Sequence, residues 1–312
     1  MRTLPRDLIA GIIFAGIIIL IIVDYYSRSI LFATIGLLIS VIGLWIGSEF
    51  FVDQAIFFGK RFKVSGKLVG LVLLSIGASI DEFILSLTAA FERYGEISLG
   101  NIQGSNIITF IVFIGIAPFI LKRRREGFTV ETLMLLILYI TLICFTFSGL
   151  SSFYVGTILV AVFIIYIVAS GKRVPGDYAN VIAGRFSWLR SLFGIVLLFL
   201  ASEQMVMVVN FFSTNLSLSL FTSGFIFAGI TGSIPELFIL LSAIRKRQSD
   251  MSIGVVYGST IFKVSLVLGS AMMVTYVNLG PALYTYFIML ILILASGLSI
   301  FVFTRRSSMP DA

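Results

Sequence analysis

The chain has no histidine, a single cysteine and few charged residues. The absence of histidine excludes the commonest metal ligand and any imidazole proton relay. One cysteine, Cys144, excludes an intrachain disulfide framework and a thiolate metal site. Charged residues make up only 12% of the chain against 59% hydrophobic residues, and the mean hydropathy is +1.11. A soluble domain of ordinary composition is therefore excluded, and the chain is predicted to be an integral membrane protein.

Apolar runs that can cross about 30 Å of hydrocarbon as helices recur along the whole chain. They predict an all-α, multi-pass membrane fold with about ten transmembrane helices. The basic start of the first run is also typical of a signal peptide, but Asp24 follows it and no small-residue cleavage site is present, so a retained helix is predicted. The predicted spans are 8–26, 30–50, 68–91, 97–120, 129–148, 153–170, 191–211, 218–244, 251–276 and 281–303.

Basic residues are distributed unevenly between the two sides of this arrangement. All but three of the 22 Lys and Arg residues lie on one side; Arg28 and Arg93 lie on the other, and Lys263 lies inside a span. Because basic residues in short loops favour the cytoplasm, both termini are predicted to be cytoplasmic in a cell-membrane protein. The net charge of +7 follows from this asymmetry, so the expected partners are the lipid bilayer and small cations, not nucleic acid. The oligomeric state stays open.

One pattern occurs twice, 154 residues apart without a gap, and carries a glutamate in an apolar stretch each time. A carboxylate in hydrocarbon is costly and usually functional. The first span of one copy, 30–50, and the first span of the other, 191–211, begin five predicted crossings apart. Because five is odd, the copies enter the membrane from opposite faces, which predicts two inverted-topology repeats around one shared ion site. The first copy comprises Ser48, Glu49, Ser79, Ile80, Glu82, Gly100, Gly104, Ser105 and Ile107, and the second comprises Ser202, Glu203, Ser233, Ile234, Glu236, Gly254, Gly258, Ser259 and Ile261.

The repeat divides the chain into four parts. Residues 1–29 form an extra N-terminal transmembrane helix and 30–170 the first repeat; a cytoplasmic linker, 171–188, leads to the second repeat, 189–312. The second repeat is one helix shorter than the first. The sequence leaves open whether the N-terminal helix takes the place of the missing one.

Helix breakers stand just before each repeated glutamate, in SIGASIDEF and GITGSIPEL. An interrupted helix frees backbone carbonyls, which are good ligands for a hard cation. Ser79 and Ser233 lie three residues before Glu82 and Glu236, so each serine shares a helical face with its glutamate. Such oxygen ligands favour Na⁺ or Ca²⁺ over zinc or copper.

The next segment of each repeat, SLGNIQGSN or SIGVVYGST, has glycines at i and i+4. Small residues at this spacing let two helix backbones approach closely. Each pair is followed directly by a serine, Ser105 or Ser259.

These paired segments resemble the alpha-repeats of the cation/calcium exchanger superfamily of sodium/calcium exchanger-like membrane proteins, whose motif is close to G-[TS]-S-x-P-E followed by G-N-x-x-G-S-N. The resemblance covers nearly the whole chain from residue 30 onward. It implies antiport of Ca²⁺ against Na⁺ or H⁺ by alternating access, without enzymatic activity or an organic cofactor. The cation ligands that it implies are Glu82, Glu236, Ser79, Ser105, Ser233 and Ser259.

Several residues depart from the pattern of that superfamily. Asp81 stands where the first motif has Pro, and Val255 replaces the Asn of the second G-N pair. Thr109 and Lys263 stand where the superfamily tends to have Asn or Asp. An intramembrane lysine costs about 2.5–3.5 kcal/mol on insertion scales. Lys263 is therefore predicted to pair with Glu82, Glu236 or Asp81.

Two roles of Lys263 stay open at this point. Its ammonium exchanges a proton in place of a sodium ion, which favours H⁺ coupling or a changed ion stoichiometry. Alternatively, it only neutralises a carboxylate or snorkels away, and lowers the affinity for Ca²⁺. Asp81 either gives the pocket a third acid or lies about 100° round the helix from Glu82 and pairs elsewhere.

The competing functions are a Na⁺/H⁺ or other monovalent cation antiporter, and an exchanger-like protein with degenerate ion binding in which Lys263 blocks the cation. A channel is disfavoured because the polar residues are concentrated at mid-depth. An intramembrane enzyme is disfavoured because Glu82 and Glu236 have no His, nucleophile or metal-ligand set for hydrolysis. Glu49 and Glu203 are predicted to be structural.

Overall fold

A computed structural model of the protein describes residues 6–27, 29–61, 79–120, 129–170, 188–234, 236, 237, 240 and 249–306. Regular structure in this part of the chain is helical throughout. The basic loop 122–125, the linker up to residue 187 and Pro235 lie outside the described residues, as do the side chains of Ser48 and Glu49. The domain boundaries of the two repeats therefore stay predictions.

The described helices follow one another along both halves of the chain. In the first half they are α1 (Arg6–Ser27), α2 (Ile30–Arg61), α3 (Ile80–Phe91), α4 (Gly95–Ile120), α5 (Thr129–Ser148) and α6 (Ser152–Ser170). In the second half they are α7 (Trp188–Asn215), α8 (Leu220–Ser223), α9 (Ser249–Phe262), α10 (Leu268–Val274) and α11 (Leu283–Arg306). A π-helical segment, Gly224–Ile230, continues α8, and a second one, Lys263–Val267, joins α9 to α10.

Within these described ranges, 6 helical segments are long and apolar enough to cross a membrane: Ile30–Gly47, Gly95–Ile116, Val130–Ser148, Trp188–Asn215, Val256–Val274 and Gly280–Ile300. Shorter apolar helices at Leu8–Ile21, Ser152–Val168 and Leu220–Ile234 lie at three further predicted spans. The remaining predicted span, 68–91, is described only from residue 79. The multi-pass helical class is thus present, whereas the number of ten spans stays a prediction.

Apolar side chains cover the outside of the bundle, and polar side chains lie within it. On α5, Leu133, Ile137 and Ile140 are at least half exposed. By contrast, Asn101 and Lys263 are completely buried. This arrangement is expected of helices in lipid, where polar groups must find their partners inside the protein.

Helices at matching positions of the two halves pack against each other. The first helix of each predicted repeat is α2 or α7, and these two helices lie side by side. α1 packs mainly against α2 and α7, whereas α6 packs against α10 and the π-helical segment Lys263–Val267. The N-terminal helix α1 therefore lies against the first helices of the two predicted repeats.

Glycines bring α4 into backbone contact with the segment Gly224–Ile230. A Cβ atom at Gly104 would lie 2.4 Å from the carbonyl oxygen of Phe225, and one at Gly229 would lie 2.7 Å from the carbonyl oxygen of Asn101. Since real Cβ atoms do not approach so closely, only glycine fits on either side. The close approach predicted from the spaced glycines is confirmed here, and it fixes the position of Asn101 and the following turn of α4.

Candidate cation site

The first glutamate lies at the beginning of a helix. Ser79 is the N-cap residue of α3, so Asp81 and Glu82 fall in its first turn. Unpaired backbone N–H groups at a helix N-terminus favour a negative charge nearby. The side chain of Glu82 is 1% exposed, and that of Glu236 is fully buried.

Each glutamate accepts a hydrogen bond from a serine of its own half. Ser105 Oγ donates to Glu82 Oε1 over 3.0 Å. Ser259 Oγ donates to Glu236 Oε1. Both bonds join residues 23 positions apart, so the second bond reproduces the first after the 154-residue interval of the sequence.

Lys263 lies between the two glutamates. Its Nζ donates to Glu236 Oε2 over 2.8 Å and lies 3.8 Å from Glu82 Oε1. The same Nζ donates to Ser105 Oγ over 2.8 Å, and the whole side chain is buried. The predicted pairing of Lys263 with a glutamate is confirmed, and the ammonium contacts both carboxylates because their joint charge offsets the cost of burying it.

Thr109, the counterpart of Lys263 in the first repeat, also contacts the glutamate of the other half. Its hydroxyl donates to Glu236 Oε2 over 2.9 Å. Thus the residue four positions after each serine reaches across to the opposite glutamate, Thr109 to Glu236 and Lys263 to Glu82. The frame of contacts is symmetric, but one side supplies a hydroxyl and the other an ammonium.

The hydrogen bonds are shared unequally between the glutamates. Glu236 accepts bonds from Ser259, Thr109 and Lys263. Glu82 Oε1 accepts one from Ser105, and Glu82 Oε2 has no hydrogen-bond partner among the described residues. A carboxylate oxygen has capacity for about two bonds, so Glu82 retains the larger unused capacity for a ligand.

Three further candidate residues are placed differently. Ser79 is completely buried beside the site, and its hydroxyl has no partner within the described part of the chain. Asp81 is buried too; its Oδ1 lacks a partner there, and the described ion pairs of Lys263 go to Glu82 and Glu236 instead. Ser233 Oγ donates to the backbone carbonyl of Ile230 over 2.7 Å, so in this state its hydroxyl is directed away from the carboxylates.

Asn101 belongs to the site although the sequence did not single it out as a ligand. Its Nδ2 donates to Ser86 Oγ over 3.1 Å and to the backbone carbonyl of Glu82 over 3.4 Å. Its Oδ1 is buried without a partner in the described residues. The available signal was its spacing, since Asn101 lies four residues before Ser105 on the same face of α4.

The backbone that carries Lys263 departs from regular α-helical geometry. Lys263 begins the π-helical segment Lys263–Val267. A π-helical turn inserts a residue and redirects the side chains around it, and such turns are common at functional sites. The other π-helical segment, Gly224–Ile230, comes shortly before Glu236 in the chain.

Two buried carboxylates, one from each half of the chain, lie together inside a helical bundle with an apolar exterior, and a buried charged cluster in such a bundle indicates a membrane transport protein. Two parts of the chain, residues 32–172 and 186–312, match the sodium/calcium exchanger protein family. The chain belongs to this family.

Two named relatives align with most of the chain, and a third aligns with a shorter part of it. The putative antiporter CaxA of Alkalimonas amylolytica is 26% identical over 254 residues, which cover 77% of this chain and 80% of the relative. The inner membrane protein YrbG of Escherichia coli is 24% identical over 305 residues, covering 90% and 91%. The sodium/calcium exchanger MaX1 of Methanosarcina acetivorans is 33% identical over 81 residues, covering 26% of this chain and 23% of that protein.

A solved structure shares the fold. The sodium-calcium exchanger NCX_Mj, soaked with zero Na⁺ and Ca²⁺, superimposes with a TM-score of 0.54 at 21% identity, covering 88% of this chain and 96% of that one.

Proposed function

We propose that this protein is a secondary active cation antiporter that exchanges Ca²⁺ against Na⁺ or H⁺ by alternating access. The observation that carries the proposal is the convergence of Glu82 and Glu236, one from each half, within 3.8 Å of a single ammonium nitrogen. A position that holds one positive charge between two carboxylates is a position that a metal cation can occupy. Membership of the sodium/calcium exchanger family, and the naming of one relative as an antiporter, support the same activity.

The ligands that we propose for the cation are hard oxygen atoms. Both carboxylates would bind it directly, with hydroxyl groups around them. Ser105 and Ser259 already donate hydrogen bonds to the carboxylates, and the Ser79 hydroxyl has no partner among the described residues. Ser233 would have to rotate away from the Ile230 carbonyl before it could bind. Lys263 competes for the carboxylate oxygens, so it alters which ions are coupled.

Alternating access would use the two halves as inverted repeats, residues 30–170 and 189–312, with both termini in the cytoplasm. The matching hydrogen bonds of Glu82 and Glu236 and the side-by-side packing of α2 and α7 support this arrangement. Exchanging the conformations of two such halves moves the opening from one membrane face to the other around a fixed site.

The test is ⁴⁵Ca²⁺ flux into proteoliposomes under imposed Na⁺ or H⁺ gradients. We expect gradient-dependent flux that Glu82→Gln and Glu236→Gln each abolish, since each removes a central carboxylate ligand. Glu96→Gln is the matched control, because Glu96 lies in the first turn of α4 and makes no contact with the site among the described contacts. If folded protein shows no gradient-dependent Ca²⁺ flux, the proposal is wrong.

A second candidate is favoured by the same ammonium group: an exchanger-like protein in which Lys263 fills the site permanently. Its buried ion pair with Glu236 at 2.8 Å is the observation behind it. In that case Ca²⁺ flux would be absent from the natural protein and would appear only when Lys263 is replaced. A Na⁺/H⁺ antiporter would instead carry ²²Na⁺ against a proton gradient and leave ⁴⁵Ca²⁺ outside.

A further inference from the structure

Polar side chains extend the site next to Glu82 but not at the equivalent positions of the second half. Asn101 and Ser86 lie beside Glu82 and are completely buried. The 154-residue interval places Val255 opposite Asn101. It likewise places Leu240 opposite Ser86. Neither counterpart has a side-chain oxygen, so additional oxygen atoms are available on the side of the first half alone.

The amide oxygen of Asn101 is the unused atom among them. Asn101 Nδ2 donates to Ser86 Oγ over 3.1 Å and to the backbone carbonyl of Glu82 over 3.4 Å. Because a carbonyl oxygen can only accept, the second bond fixes which end of the amide is the nitrogen. Oδ1 is then a buried acceptor, and no hydrogen-bond donor reaches it from the described residues. Such an atom is costly in a protein interior unless a ligand contacts it.

Gly232 borders both Asn101 and Glu82. A Cβ atom at Gly232 would lie 3.6 Å from Asn101 Oδ1 and 3.7 Å from Glu82 Cγ. Both distances are ordinary van der Waals contacts, so there is room for one small group between the glycine and the two side chains. The free amide oxygen and the glutamate thus face one shared space, and the second carboxylate oxygen of Glu82, Oε2, has no hydrogen-bond partner in the described part of the chain either.

We infer that Asn101 Oδ1 is a ligand of the transported Ca²⁺, and that Gly232 leaves the space beside Glu82 in which the ion binds. The inference rests on the proposed antiport function and adds a ligand to it. Amide oxygens bind Ca²⁺ at about 2.3–2.6 Å, as carboxylates do. Because Val255 offers no oxygen to the second half, the ion bound in this way lies closer to Glu82 than to Glu236.

Two substitutions at Gly232 that differ by a single oxygen atom test the inference. Gly232→Ala places a methyl group in the space, whereas Gly232→Ser places there a hydroxyl group that can itself bind the ion. Equilibrium binding of ⁴⁵Ca²⁺ to purified protein in detergent is measured, with gradient-driven uptake into proteoliposomes as the second readout. We expect the half-saturating Ca²⁺ concentration to rise about tenfold in Gly232→Ala and to stay within about threefold of the natural value in Gly232→Ser.

Stability measurements separate a lost ligand position from a damaged fold. Gly232 lies in a helical turn, and its added Cβ would make ordinary contacts, so Gly232→Ala should be as stable as the natural protein or slightly more stable. Gly115→Ala is the matched control outside the site, since its Cβ atom would meet nothing within 4 Å. Its half-saturating Ca²⁺ concentration should not change.

A second pair of variants addresses the amide itself. Asn101→Leu and Asn101→Asp both lose the Nδ2 donor, but only aspartate keeps an oxygen in the place of Oδ1. We expect Asn101→Leu to bind Ca²⁺ about tenfold more weakly than Asn101→Asp. This pair replaces the Gly232 pair if Gly232→Ala does not fold.

Every result decides between stated alternatives. If Gly232→Ala binds Ca²⁺ as tightly as the natural protein, or if Gly232→Ala and Gly232→Ser are weakened equally, the inference is wrong and Ca²⁺ antiport still stands. Equal Ca²⁺ affinity of Asn101→Leu and Asn101→Asp has the same meaning. If the folded natural protein neither binds ⁴⁵Ca²⁺ nor takes it up along a gradient, the proposed function is wrong, and the inference with it.

Discussion

Gly104 offers a sharp test of the contact that positions the site. A Cβ atom at Gly104 would lie 2.4 Å from the carbonyl oxygen of Phe225 and 3.1 Å from the Cα of Gly229, whereas ordinary contacts begin at 3.4 Å. Both atoms belong to the backbone, so no side chain can move aside. Gly104→Ala therefore forces α4 and the segment Gly224–Ile230 apart by about 1 Å.

The magnitude follows from two opposing effects. Overpacking of this kind costs about 1–3 kcal/mol, and the upper end applies because backbone atoms resist the shift. Alanine returns up to about 1 kcal/mol through its helix propensity. We expect a net loss of about 2 kcal/mol, which corresponds to an apparent melting temperature lower by about 5 °C. Transport should fall as well, because Ser105 follows Gly104 directly and donates to Glu82.

Gly115→Ala is the matched control in the same helix. Its Cβ atom would meet nothing within 4 Å, so only the gain in helix propensity remains, and the variant should be as stable as the natural protein or slightly more stable. Stability is measured on purified protein in detergent, by the fraction that stays monodisperse after a series of heating steps. If Gly104→Ala and Gly115→Ala lose monodispersity at the same temperature, the close backbone contact is wrong.

Three other predictions concern the glutamates. Ser105→Ala and Ser259→Ala each remove one hydrogen bond to a ligand carboxylate and one proposed hydroxyl ligand, so the cation concentration that half-saturates transport should rise about fivefold in each. Glu236→Gln leaves Lys263 with only the longer contact to Glu82, so the buried ammonium is poorly paired and the melting temperature should fall. Adding Lys263→Met removes that ammonium and should recover much of the loss, which a double-mutant cycle measures. Burial and the neighbouring Glu203 raise the pKa of Glu92 above its usual range. The folded state therefore binds the Glu92 proton more tightly than the unfolded state does, so the free energy of unfolding falls as pH rises from the ordinary glutamate range. Glu92→Gln should reduce this pH dependence in melting curves recorded across pH.

The sequence predicted the pairing of charges because the physical constraint is strong. A lysine within a span must find a carboxylate, and only a few buried carboxyl groups were available. The repeat interval likewise identified Glu82 and Glu236 as partners across the halves, and the spaced glycines of α4 indicated a close helix contact. These features depend on composition and spacing, which the sequence displays directly.

Other features depend on side-chain rotamers and backbone irregularities, which the sequence does not display. Ser233 was expected near the cation, but a serine in a helix can donate to a carbonyl of its own preceding turn, and it does so at Ile230. The role of Asn101 depends on the approach of α4 to the segment Gly224–Ile230. No pattern indicated that Lys263 would begin a π-helical turn, or that its nitrogen would lie closer to Glu236 than to Glu82.

Thr109 and Lys263 occupy equivalent positions in the two halves but make different contacts, and this difference predicts a change during the transport cycle. If the halves exchange conformations, each residue takes over the contacts that its repeat counterpart has now. Thr109 now donates to Glu236 over 2.9 Å, so in the opposite state Lys263 would form the matching short contact with Glu82. The main partner of the ammonium would then change from Glu236 to Glu82 as the opening moves to the other membrane face. Glu236 would become the carboxylate that pairs less closely with Lys263. A structure of the opposite state in which Lys263 still lies 2.8 Å from Glu236 and 3.8 Å from Glu82 would contradict this exchange of partners.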